Sequence, residues 1–139
     1  MSNQPKPRAI LVVDDEPTSR EMISLMLEKR GYQVATANDG RAGEQCLAQK
    51  AFDLVITDLL MPERDGLELI GALRRHHPGI HIIAITGGGH LPGSKYLQLA
   101  RGLGAHTLLE KPFSEAALLG AVEQALAPAA AVSNPDQRE

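Results

Sequence analysis

The amino-acid sequence predicts an α/β domain built on a doubly wound, five-stranded parallel sheet with helices on both faces. Short apolar runs recur along the chain, at Ala9 to Val13, Val34 to Ala37, Leu54 to Thr57, Ile80 to Thr86 and near Thr107 to Glu110. Runs of this length, free of alternation, are expected of parallel strands buried on both faces. Segments with apolar residues at helical spacing separate them, and that alternation implies right-handed crossovers within one sheet. Acids close two of the runs, Asp14 and Asp15 after the first and Asp58 after the third. Carboxylates at the carboxyl ends of strands meet in the crevice of such a sheet.

Taken in order, Pro17 opens the first helix at a position where its missing N–H costs nothing, and Met22, Ile23, Met26 and Leu27 form its inward stripe before Lys29, Arg30 and Gly31 close it. Gly40 to Lys50 forms a second helix with Ala42, Cys46 and Leu47 inward. After the third strand, Leu59 to Asp65 with Pro62 reads as a loop. Gly66 to His77 is then a helix with Leu67, Ile70 and Leu73 inward, stopped by Pro78 and Gly79. The glycine-rich stretch Gly87 to Gly93 leads into a helix over about Ser94 to Leu103. Ser114 caps the last helix, which buries Leu118, Ala121, Val122, Ala125 and Leu126. Two strand orders suit such a chain, the flavodoxin-like 2-1-3-4-5 and half of a dinucleotide-binding sheet. Acids on the first and third strands favour the former, whose switch point lies between them.

A chain of 139 residues fits one domain with a core of its own. Net charge of -3 gives nucleic acid no electrostatic reason to bind, and 3% aromatic content with no Trp argues against a base-stacking surface. The lone Cys46 excludes an internal disulfide and reads as a half-buried helix residue. No signal-peptide core and no apolar stretch of about twenty residues is present, so a cytoplasmic location without membrane contact is expected.

Three carboxylates in one place repel unless a cation joins them, and a hard divalent ion such as Mg2+ suits one or two carboxylates, waters and a phosphate. An Asp pair ahead of Glu16 and Pro17 would also serve turn chemistry and the positive end of a helix. Thr86 and Lys111, at the ends of two further strands, add a hydroxyl and an ammonium. A carboxylate flanked by metal-binding acids and by groups able to hold phosphoryl oxygens is a nucleophile poised for phosphoryl transfer. Asp58, followed by a loop, is the candidate.

The motifs Leu11-Val12-Val13-Asp14-Asp15-Glu16, Asp58-Leu59-Leu60-Met61-Pro62 with Asp65-Gly66, Ile85-Thr86-Gly87 and Lys111-Pro112-Phe113 together resemble the receiver domain of two-component response regulators. The resemblance covers residues 8–126, leaving 1–7 as an N-terminal extension and 127–139 as a tail or linker. It implies Asp58 as the phosphoacceptor and Asp14, Asp15, Asp58 and the Leu60 backbone carbonyl as ligands of Mg2+. Thr86 and Lys111 would hold the phosphoryl oxygens, and a cis Lys111-Pro112 bond would aim the lysine. It also implies a histidine kinase or histidine phosphotransfer protein as donor, and a downstream protein read through the Ser94 to Leu126 face, with homodimerisation on phosphorylation as one mode. Catalysis would extend only to the protein's own aspartyl phosphorylation and dephosphorylation. Tyr96, Leu97 and Arg101 are the expected contact residues.

Other classes fit less well. A phosphorylation-independent pseudo-receiver would not need the full acid set with Thr86 and Lys111, and a flavin carrier would need more aromatic cover. Of the histidines, His76 and His77 suit the end of a helix dipole. His90 sits in the glycine loop. The chain departs from the family at Leu108, where receivers usually carry an aromatic three residues before the lysine. We therefore expect phosphorylation to be read by ordering or displacement of Gly87 to Gly93 in place of an aromatic rotamer switch.

Overall fold

Every side chain from Ala9 to Val13 and from Leu54 to Asp58 is buried, so these runs have no solvent face. The computed structural model describes residues 7–59, 66–86 and 104–127, with Gln98 and Gly102 between them. Its strands are β1 (Ala9–Val13), β2 (Gln33–Ala37), β3 (Leu54–Asp58), β4 (His81–Thr86) and β5 (Thr107–Glu110). All neighbours pair in parallel, in the order β2-β1-β3-β4-β5. That is the expected 2-1-3-4-5 order. Among the described residues four helices are complete, α1 (Pro17–Glu28), α2 (Gly40–Gln49), α3 (Gly66–His76) and α4 (Glu115–Ala125). The helix expected over 94–103 lies outside the described residues except for Gln98 and Gly102, both helical.

Because successive strand residues face opposite sides, the sheet has two cores. Leu11, Val13, Val55, Ile82 and Ala84 pack with Leu47 of α2 and with Leu69, Ile70 and Leu73 of α3. On the other face Ile10, Val12, Leu54, Ile56, Ile83 and Ile85 meet Ile23 and Leu27 of α1 and Leu118, Leu119 and Val122 of α4. Gly43 lets α2 approach closely, since a Cβ there would lie 3.1 Å from Val13 Cγ2.

Helix ends follow local chemistry. The Asp39 side chain accepts from the Ala42 amide at 2.8 Å, and Ser114 accepts from Ala117 at 3.0 Å, the cap expected for α4. At the end of α3 the Arg74 guanidinium donates to the carbonyls of Pro78 and Ile80. Its stem lies against Gly104, whose φ of +119° and lack of a side chain admit it.

The inward stripes need three corrections. Met22, expected inward, is 51% exposed, because the i, i+4 pair Ile23 and Leu27 faces the sheet and Met26 sits at its margin. Leu69 and Leu119 are buried although only their neighbours were expected inward. The side chain of Leu67 is outside the described set. Helices α2 and α3 each stop one residue early, β2 starts one residue early and β4 starts at His81.

At the amino-terminal edge of the sheet, His106 exchanges two bonds with Ile82: its amide donates to the Ile82 carbonyl at 2.9 Å, and its Nδ1 accepts from the Ile82 amide at 3.0 Å. A ring nitrogen that accepts is unprotonated. Desolvation of the ring, with the His81 imidazole 4.9 Å away and the Arg74 guanidinium, lowers the His106 pKa.

Candidate functional site

The parallel register carries the carboxyl ends of β1, β3, β4 and β5 to one edge: Val13 pairs with Thr57, Asp58 with Ile85 and Thr86 with Glu110. The chain leaves β1 through Asp14, whose amide still donates to Ala37 on β2 at 3.1 Å. Buried to 1% exposure, Asp14 accepts the Glu16 amide on Oδ1 at 2.9 Å. Asp58, 6% exposed, ends β3, and the Thr57 hydroxyl donates to its carbonyl at 2.9 Å. Asp15 is exposed beside them.

One carboxylate oxygen from each of Asp14, Asp15 and Asp58 lies within 4.8 Å of the others. Lys111 enters from the end of β5, its amide donating to the Thr86 carbonyl at 2.8 Å. Its Nζ sits 3.1 Å from Asp14 Oδ2 and 3.2 Å from Asp58 Oδ2. A single ammonium thus bridges two buried acids. Burial alone would lower the Lys111 pKa, but the charges of Asp58 and Asp14 outweigh it and hold the pKa above its ordinary value. The Lys111–Pro112 bond is cis, as the resemblance implied.

The residues fit a divalent ion. The donors are hard carboxylate oxygens, one from each acid gathered within 4.8 Å of the others, and a cation already stands between two of the acids as the Lys111 ammonium. Leu60, the remaining expected ligand, lies outside the described residues, as do Gly87 to Gly93 and Tyr96, Leu97 and Arg101. Thr86 is 1% exposed at the same sheet edge. Leu108 is half-buried against the α2 and α3 side of the core.

Three neighbours escaped the sequence reading. Arg20 on α1 donates to the Asp14 carbonyl at 2.8 Å, Thr57 braces Asp58, and Glu16 places Oε1 3.8 Å from Lys111 Nζ. Helical spacing locates Arg20 on the first turns of α1 but does not aim its guanidinium. A depression of about 610 Å³ among residues including Arg8, Phe52 and His81 lies at the opposite end of the sheet. It has no acid cluster among its lining residues, and chemistry assigns the site to the other end.

A parallel sheet with a lysine-bridged acid cluster at its switch point defines a receiver, and the chain belongs to the response regulator receiver domain family, matching it over residues 10–123. The transcriptional regulatory protein GlrR of Escherichia coli strain K12 is 35% identical over 134 residues, covering 96% of this chain and 30% of GlrR. The chain therefore spans less than a third of that relative's length. Chemotaxis protein CheY4 of Vibrio cholerae superposes with a TM-score of 0.78 at 32% identity, covering 87% of this chain and all of that one. The beryllofluoride-activated NtrC4 receiver domain, solved as a dimer, gives 0.76 at 33% identity, covering 84% and 94%. The family's function is signalling switched by phosphorylation. Among the described residues no helix is long and apolar enough to cross a membrane.

Proposed function

We propose that Asp58 accepts a phosphoryl group from a histidine kinase or histidine phosphotransfer protein, and that residues 8–126 act as the receiver of a cytoplasmic response regulator. The observation that carries this is the Lys111 ammonium held between Asp14 and Asp58 at 3.1 and 3.2 Å. In the transfer, an Asp58 Oδ bonds to phosphorus while the donor's bond to phosphorus breaks with its electron pair going to the donor. Asp14, Asp15, Asp58 and the Leu60 carbonyl would hold Mg2+, which when bound neutralises the acids and the incoming phosphoryl oxygens. Lys111 leaves the Asp58 carboxylate for a phosphoryl oxygen, and Thr86 donates its hydroxyl to another. Charge neutralisation and positioning supply the catalysis. On this reading the receiver's chemistry is its own aspartyl phosphorylation and dephosphorylation.

Readout runs through the 94–126 face to a downstream protein or to a second copy of the chain. The complete acid set with Lys111 gives no support to a phosphorylation-independent receiver. Incubation with acetyl phosphate and Mg2+, followed by intact-mass measurement, should add one phosphate to the wild type and none to Asp58→Asn or to protein in chelator. Equal labelling of Asp58→Asn would sink the reading.

A further inference from the structure

We propose, on the reading of Asp58 as phosphoacceptor, that Glu16 is a positioning residue that holds back Lys111 and so lowers the affinity of the site for the phosphoryl group. Glu16 is the N-cap residue of α1, a position where short polar side chains usually bond to the helix amides. Its side chain makes no such bond. It extends to place Oε1 3.8 Å from Lys111 Nζ, while its own amide is fixed on Asp14 Oδ1 at 2.9 Å. The lysine therefore faces three carboxylates, two of them buried and one, Glu16, with a side chain 61% exposed at the mouth.

That geometry matters once Asp58 is occupied. To reach phosphoryl oxygens the ammonium must leave Asp58 Oδ2, and Glu16 offers it a competing partner from outside the cluster. Glu16 also adds a negative charge beside a group that carries nearly two. Competition and repulsion act in the same direction. Both are screened by salt, because the Glu16 carboxylate is largely in water.

The test is a titration with beryllofluoride at saturating Mg2+, comparing wild type with Glu16→Gln and following amide and Lys111 Nζ resonances. Gln keeps the length of the side chain and removes its charge. At low ionic strength the variant should bind about two- to fivefold more tightly, the range expected of an exposed ion pair. The gain should shrink in about 0.5 M salt, where the screening length is only a few ångströms. The loss of that gain in salt is what a purely structural substitution would not cause. Affinity that is unchanged, weaker, or altered equally at both salt concentrations would overturn the role of Glu16 while leaving Asp58 in place. Failure of both proteins to take up beryllofluoride would overturn the Asp58 reading, and the Glu16 role with it.

Discussion

Replacing Lys111 with methionine keeps the stem and removes the ammonium that bridges Asp14 and Asp58 at 3.1 and 3.2 Å. At an effective dielectric constant near 20, each contact represents about 5 kcal/mol of attraction before desolvation. The net loss is much smaller, because the acids have an escape: one of them takes up a proton in place of the lysine. An ordinary aspartate with a pKa near 3.9 must be raised about three pH units to be protonated at pH 7, which at 1.36 kcal/mol per unit caps the cost near 4 kcal/mol. We expect Lys111→Met to lose about 2–4 kcal/mol at pH 7 without divalent ions. The raised carboxyl pKa means that the folded variant binds a proton before the unfolded chain does, so its deficit shrinks as pH falls. At pH 5 the same cap is about 1.5 kcal/mol. Lys111 itself, with its raised pKa, stays charged in the wild type over this range. Urea unfolding at both pH values, with and without Mg2+, measures this, and Mg2+ should restore more stability to the variant than to the wild type. A loss under about 1 kcal/mol at pH 7, or one equally large at pH 5, would refute the electrostatic account.

Stability should fall as pH drops below about 6.5, where an unfolded histidine protonates but folded His106, with its lowered pKa, does not. His106→Asn, which keeps an acceptor for the Ile82 amide without titrating, should flatten that part of a melting-temperature profile. Asp39→Ala, which deletes the α2 cap, should cost about 1 kcal/mol in urea unfolding. Leu69→Ala, at a fully buried position, should cost about 2–5 kcal/mol by the same assay.

The strands were legible because parallel strands covered on both faces leave continuous apolar runs, and the acids stood at their ends in plain view. The switch-point rule then sufficed to bring Asp14, Asp15 and Asp58 together, and Lys111 with them. Helix faces were harder. Met22 and Met26 sit beside the Ile23 and Leu27 stripe, and periodicity alone does not say how wide a stripe α1 can bury against the sheet and α4. Leu69 and Leu119 show the opposite error, since a helix wedged between sheet and neighbours buries more than one stripe. Arg20, Thr57 and Glu16 were missed as site neighbours for a different reason. Each acts through the direction of one side chain, toward the Asp14 carbonyl, the Asp58 carbonyl and Lys111, and composition and spacing carry no such direction.

The central claim is that Asp58, among three neighbouring aspartates, forms the bond to phosphorus. Borohydride reduction of protein treated with acetyl phosphate and Mg2+ tests it most directly, because an aspartyl phosphate is reduced to homoserine while a free aspartate is not. Peptide mass mapping should find homoserine at position 58 and aspartate at positions 14 and 15. Homoserine at position 14 or 15, with Asp58 unmodified, would contradict the account.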